Sequence, residues 1–122
     1  MINKNILNSC HKEGFKEEEV YGAYKVFFGT LVSESRLKII NLLRYRKMNV
    51  SELIKEINGE QTAISHDLAR LKKCGFVEVE ESGKFRYYKL NEKTIQPLMD
   101  LIDKHMSKHC VHILREGENN GR

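Results

Sequence analysis

Between Val50 and Leu90 the hydrophobic repeat changes period, and this change limits the folds open to the chain more than any other feature. Leu53, Ile54 and Ile57, then Ile64, Leu68 and Leu71, recur at the three- and four-residue steps of amphipathic helices. Asn58-Gly59 stands between the two groups as a left-handed helix stop. After Cys74-Gly75 the repeat drops to two. Phe76, Val77 and Val79 make one strand and Phe85, Tyr87, Tyr88 and Leu90 another, with a Ser-Gly turn signal in Glu80-Glu81-Ser82-Gly83-Lys84 between them. At 122 residues the chain has room for one core built around this unit and not for a second.

The flanks read mostly as helix. Residues 1–16 are Asn-rich without a sustained period and are expected to form a flexible extension. Glu17, Glu18 and Glu19 open a helix at the end where the macrodipole favours acids. Val20, Tyr24, Phe27 and Phe28 give it an apolar side, and Gly29-Thr30 breaks it. Ser33 suits the N-cap of the next helix, whose apolar face is Leu37, Ile39, Ile40, Leu42 and Leu43 and which ends near Tyr45-Arg46-Lys47. Met48-Asn49-Val50 is a short link, and Ser51 starts the first of the two short helices. The second runs from about Glu60 to Lys73 with Ala63, Ile64, Leu68 and Leu71 inward. From Lys93 to about Arg115 a single long helix carries Ile95, Leu98, Met99, Ile102, Met106, Cys110 and Ile113 on one stripe. Residues 116–122 are a polar tail, which leaves 17–115 as the domain. The expected fold class is mainly α with a β-hairpin wing, a winged helix-turn-helix.

In such a unit the second short helix enters the DNA major groove and its N-terminal side chains meet base edges. Gln61, Thr62, Ser65 and His66 hold those positions; Gln pairs with adenine, and hydroxyls and imidazole reach bases or phosphates. Arg70 and Lys72, a turn or more further on, are placed for phosphate. Lys84 and Arg86 stand at the hairpin tip beside Tyr87 and Tyr88, as a wing against backbone or minor groove needs. The net charge of +4 says little, but its distribution says more. Residues 36–47 hold Arg36, Lys38, Arg44, Arg46 and Lys47 with no acid, whereas residues 48–60 carry a net −2. A patch of this kind is the footprint of phosphate binding. A solvated helix face explains the same cations more plainly, and the adjoining helix-turn-helix favours the first explanation.

The run Leu31-Val32-Ser33-Glu34-Ser35-Arg36-Leu37-Lys38-Ile39-Ile40-Asn41-Leu42-Leu43 resembles the opening of the ArsR/SmtB family of small metal-responsive repressors. So do Val50-Ser51-Glu52-Leu53 and the helix Gln61-Thr62-Ala63-Ile64-Ser65-His66-Asp67-Leu68-Ala69-Arg70-Leu71, and Lys72-Lys73-Cys74-Gly75-Phe76-Val77 matches the entry to the wing. The similarity spans roughly residues 20–112. It implies a homodimer formed through the first and last helices, with two recognition helices on an imperfect palindromic operator in double-stranded DNA. It also implies repression that an inducer relieves by disfavouring the DNA-competent state.

The inducer is less determined. The family's thiolate site has Cys-Val-Cys at the start of the third helix, where this chain has Asn49-Val50-Ser51. Amide and hydroxyl oxygens do not suit soft metals, which argues against arsenite, cadmium or lead at that place. A second family site, across the last helices, is half matched by Asp103-Lys104-His105, with Glu116 and Asn119 where the remaining ligands belong. His105, His109 and His112 fall at i, i+4 and i+7, and imidazoles so spaced can share zinc, nickel or another divalent transition metal as effector. Solvated histidines near a helix C-terminus also simply complement the dipole. Cysteine offers another sensor: the family fold brings Cys10 near the last helix, so Cys10 and Cys110 can bind a metal with His11 or His109, or be oxidised or persulfide-bridged. Cys110 also shares its stripe with Met106 and Ile113, as an interface packing residue does, and Cys74 reads as structural.

Other classes fit poorly. Met1–Ser9 contains no signal-peptide core, and Val26–Val32, the longest mostly apolar stretch, is too short for a bilayer. Three widely spaced cysteines make no disulfide framework, so a cytoplasmic protein without a membrane partner is expected. His105 and His109 have the spacing of a zinc-protease helix, but Met106 stands where its general-base Glu belongs. With no phosphate loop and no nucleophile elbow, an enzyme is not expected. The competing function is a winged-helix dimer without a metal or thiol sensor, acting as an architectural DNA binder or a protein-interaction module. Inducer-linked loss of operator affinity separates the two.

Overall fold

Leu53, Ile64, Leu68, Leu71 and Phe76 are almost wholly removed from water, so the centre of the molecule lies where the two short helices meet the base of the hairpin. The computed structural model describes residues 4–119, with the side chains of Leu7, Cys10 and 117–119 outside the described part. Its elements in chain order are α1 (Lys4–Lys12), α2 (Glu17–Leu31), α3 (Glu34–Leu43), α4 (Val50–Ile57), α5 (Gln61–Lys73), β1 (Val77–Ser82), β2 (Phe85–Leu90), α6 (Ile95–His109) and α7 (Val111–Asn119). One core joins Ile39, Ile40 and Leu43 of α3 to Leu53, the buried stripe of α5, Val77 and Leu90 of the hairpin, and Ile95 and Met99 of α6. The rings of Phe27 and Phe76 stack at 4.9 Å and bring α2 onto it. The fold is a winged helix-turn-helix, mainly α with a two-stranded antiparallel wing. No helix among the described residues is long and apolar enough to cross a membrane.

Local chemistry sets the helix ends. The Lys16 N–H donates to Glu19 Oε1 at 3.2 Å at the start of α2. The Arg36 N–H donates to the Ser33 hydroxyl at 3.3 Å, so Ser33 is the N-cap expected of it. At α4 the cap is Asn49 rather than Ser51. The Glu52 N–H donates to Asn49 Oδ1 at 2.9 Å, and the Asn49 N–H donates to Glu52 Oε1 at 3.1 Å, a reciprocal capping box. Asn58 ends α4 at φ 58° and ψ 46°. Behind it, a Cβ on Gly59 would stand 3.1 Å from Ile64 Cδ1, so the tightness of this turn favours glycine.

Elsewhere the fold departs from what the sequence pattern alone implies. Residues 4–12, expected as a flexible extension, form α1, whose Ile6 closes a groove of about 350 Å³ with Val20, Ala23, Tyr24, Phe27 and Phe28 of α2. Packing against that apolar face overrides a weak local helix signal. Gly29-Thr30 does not break α2, which runs on to Leu31 with the Thr30 hydroxyl donating to the Val26 carbonyl at 2.8 Å. The long C-terminal helix is two: Cys110, at φ −113°, separates α6 from α7, which continues to Asn119 into the segment expected as tail. The run Ser107-Lys108-His109-Cys110-Val111-His112 is dominated by weak helix formers, which explains a break without Gly or Pro. Met48, expected in a link, is buried and exchanges backbone bonds with Tyr88 at 3.0 and 2.8 Å, an isolated antiparallel bridge on β2.

Candidate nucleic-acid interface

Helix α5 has two unlike sides. Ile64, Leu68 and Leu71 are buried at spacings of four and three. Thr62, Ser65, His66, Ala69 and Lys73 are exposed and recur at the helical spacings of one outward stripe, with Gln61 exposed at the first turn. Ala63, expected inward, is exposed and takes no part in the core. The small Ala69 lies in the middle of this stripe, and Lys73 ends it with a cation. The helical period that marks Thr62 and Ser65 in the sequence marks Ala69 and Lys73 as well.

The orientation of α5 is fixed from behind by ionic and polar contacts. Asp67 accepts from the Ser35 hydroxyl at 2.7 Å and from Arg36 Nη1 at 3.3 Å, with the Arg36 and Asp67 side chains only 19% and 15% exposed. Arg36 also donates from Nε to the Thr30 carbonyl at 2.8 Å, which satisfies an orphan acceptor at the end of α2. The buried Thr30 hydroxyl accepts from Arg70 Nε at 3.0 Å. Its one proton goes to Val26, so at the 3.6 Å contact with Cys74 the thiol is the donor. Arg70, expected on phosphate, therefore has its ε nitrogen committed to packing α5 on α2. Cys74 is half-buried in the same knot, consistent with its structural reading.

The cationic patch at residues 36–47 is not free. Arg36 pairs with Asp67, Lys38 with Glu34 at 3.7 Å, Arg46 with Glu52 at 2.8 Å, and Lys47 with Glu80 at 3.0 Å. Arg44 takes Asp100 at 2.7 Å and Asp103 at 2.6 Å, and those carboxylates, Asp103 first, raise the guanidinium above its ordinary range. Arg46 holds the Glu52 carboxyl below its usual value, and Lys47 does the same for Glu80. The linear run hid these partners because each lies on another element or turn. Among the described residues, the cations of the helix-turn-helix and wing without an ion pair are Lys55, Arg70, Lys72, Lys73, Lys84 and Arg86. These include all four cations singled out from the sequence.

In the wing, Ser82 pairs with Phe85 across Gly83-Lys84, and Gly83 at φ 62° supplies the left-handed turn residue. The Asn91 side chain donates to the Gly75 carbonyl at 3.0 Å, and its backbone N–H to Phe76 at 2.9 Å, so the hairpin base is pinned to the end of α5.

The candidate effector residues lie elsewhere. His105 and His109 are exposed, with ring centroids 4.7 Å apart, and His112 is exposed on α7. Asp103, proposed with them from the sequence, is instead held by Arg44. Among the described residues of one chain, no three His, Cys, Asp or Glu side chains converge as a metal site. Cys110 is half-buried at the α6–α7 break, and the side chain of Cys10, its suggested partner, lies outside the described residues.

Residues 33–79 match the model of the bacterial regulatory protein arsR family, a span that runs from the cap of α3 into β1. An uncharacterised HTH-type transcriptional regulator of Methanocaldococcus jannaschii is 30% identical over 87 residues, which cover 70% of this chain and 98% of that one. The chain belongs to the ArsR family. The cadmium resistance transcriptional regulatory protein CadC of Listeria innocua is 36% identical over 76 residues, 62% of this chain and 64% of CadC. A homodimeric winged helix-turn-helix DNA-binding domain of Mycobacterium bovis superposes with a TM-score of 0.71 at 23% identity, covering 79% and 89% of the two chains, and shares the fold. The protein is thus a DNA-binding transcriptional regulator of the ArsR family and not an enzyme.

Proposed function

We propose that this ArsR-family chain is a homodimeric repressor that reads an imperfect palindrome in double-stranded DNA and is released from it by an inducer. The observation that carries this is the outward stripe of α5, with Gln61, Thr62, Ser65 and His66 exposed while Asp67 and the apolar positions hold the helix from behind. Lys72, Lys73, Lys84 and Arg86, exposed and without ion pairs among the described residues, would supply phosphate contacts around it. A second copy supplies the dimer. Phe28, Leu101 and Leu114 are 57%, 64% and 65% exposed, and Met106 and Ile113 lie open on the same helices, an apolar surface suited to self-association. Pairing through α2, α6 and α7 would serve a palindrome whose half-sites lie roughly 34 Å apart.

The inducer reading rests on the α6–α7 segment. His105 and His109 are adjacent and solvent-accessible, donors suited to zinc or nickel, and His112 follows on α7. Asp103 joins them only by leaving Arg44, so a metal drawing on it competes with the tie between α6 and α3. A bound cation would supply a local positive charge and a fixed link between helices. A thiol-reactive inducer is the second reading, supported by Cys110 half-buried at the helix break, where an added group would disturb the packing of α7.

Alanine at Ser65 and His66 tests the DNA surface. Preference for an operator duplex over a scrambled one should vanish while helical content and dimer mass persist; retained preference overturns the assignment of α5. Zinc or nickel should weaken wild-type binding at least about tenfold, about 1.4 kcal/mol of coupling, and His105→Ala should abolish that response. Release by a thiol reagent alone moves the sensor to Cys110. Release by neither leaves a DNA-binding dimer without a sensor.

A further inference from the structure

The wing ends in an exposed aromatic ring that the fold does not use. In the antiparallel register, Val77–Leu90, Val79–Tyr88 and Glu81–Arg86 share one face, and Glu78–Lys89, Glu80–Tyr87 and Ser82–Phe85 share the other. The first face enters the core at its base, where Val77 and Leu90 are buried. The second carries Phe85 at the tip, 48% exposed, with the Tyr87 ring 6.2 Å behind it. Lys84 Nζ stands 5.8 Å from the centre of the Phe85 ring and has no ion pair among the described residues.

The shaft is electrically different from the tip. Glu78 lies 3.9 Å from Lys89, Glu80 is bonded to Lys47, and Glu81 faces Arg86 in register. Glu78 and Glu80 therefore hold Lys89 and Lys47, whereas Arg86 has no ion pair among the described residues and lies 6.0 Å from the centre of the Tyr88 ring. The end of the wing therefore carries two cations without ion pairs among the described residues, Lys84 and Arg86, with the half-exposed Phe85 ring between them in sequence.

We propose that Phe85 is a minor-groove wedge, pressing its ring against a base step beside the sequence read by α5 while Lys84 holds the flanking phosphate. This rests on the DNA-binding reading above and extends it from contact to deformation. Only three residues separate Lys73 from Val77, and Asn91 ties Gly75 and Phe76 to the end of β2, so the wing cannot turn independently of α5. With α5 in a major groove, the hairpin meets the duplex beside it, continuous with the same interface. An apolar side chain at that place partly unstacks a step and bends the duplex, an energy lowest at flexible TA and CA/TG steps. The wing would thereby select sequence at a position without hydrogen-bonding any base.

The test uses a duplex selected from a random pool by the wild-type dimer, end-labelled for energy transfer and carrying 2-aminopurine at the steps flanking each half-site. Wild type should shorten the end-to-end distance and raise 2-aminopurine fluorescence at one flanking step. Phe85→Ala should abolish both signals and weaken binding about tenfold, with the salt slope unchanged. Phe85→Leu, which keeps an apolar wedge, should retain much of both. Lys84→Ala should keep the fluorescence signal and reduce the salt slope by about 0.9. Equal bending and affinity for Phe85→Ala and wild type overturn the proposal. A pool that yields no preferred duplex defeats the DNA-binding reading itself, before any variant of the wing is compared.

Discussion

Replacing Asp67 with Ala removes the strap that holds α5 to α3, and its cost can be worked from the contacts. Two bonds are lost: the Ser35 hydroxyl at 2.7 Å and Arg36 Nη1 at 3.3 Å. A hydrogen bond to a charged group nets about 1.5–3 kcal/mol, and solvent reaching the exposed Ser35 bond keeps it towards the lower end. The Ser35 bond is short, whereas the Arg36 bond is long and contributes less. Arg36 also keeps the Thr30 carbonyl at 2.8 Å, so its charge is not stranded, and the roughly 3–5 kcal/mol of an orphaned buried ion does not apply. The expected loss is about 2–3 kcal/mol, or roughly 10 °C in Tm for a chain of this size. Asp67→Asn keeps an acceptor oxygen and should cost about 1 kcal/mol. Urea unfolding at one fixed protomer concentration measures this, since a dimer's stability depends on concentration. Ser35→Ala combined with Asp67→Ala should cost less than the two singles together, because they share a bond. A loss under about 0.5 kcal/mol for Asp67→Ala would place it among ordinary surface changes and refute the strap.

Thr30→Val removes the hydroxyl that joins Val26, Arg70 and Cys74 and should cost about 1–2 kcal/mol by the same urea assay. Phe28→Asp should convert the dimer to monomer in sedimentation, with helical circular dichroism retained; an unchanged mass removes α2 from the interface. Glu52 and Glu80 titrate below the ordinary value of 4.5, because Arg46 and Lys47 favour their charged forms. Each pair therefore contributes fully above that value and loses its contribution as pH falls through the lowered folded one. Between about pH 6 and about pH 3, stability should fall more steeply in wild type than in Glu80→Gln; parallel curves would show the Lys47 pair to be idle.

The change of hydrophobic period made the helix-turn-helix and hairpin legible, because one buried face per element leaves its spacing in the chain. Ser33 and Asn58 were legible as cap and stop because each acts through its own backbone. The Asn49 cap is also readable, since Glu52 three residues on is the capping-box signal, although the neighbouring Ser51 offers a competing start. Helix α1 was not readable, because it depends on Ile6 meeting a face built by α2. The pairing of Arg36, Lys38, Arg44, Arg46 and Lys47 shows the same limit in electrostatics. In sequence they form a block of positive charge, whereas in space most are neutralised by acids from α4, α5, α6 and β1. The outward positions of α5 needed only the helical period. The commitment of Arg70 to Thr30 and of Asp103 to Arg44 needed the fold.

The most direct test of the central claim is fluorescence anisotropy with reduced protein at physiological salt, comparing DNA from upstream of its own gene with a scrambled duplex of equal length. Affinity for the first should be at least about a thousandfold higher. Equal affinity for the two duplexes would contradict it.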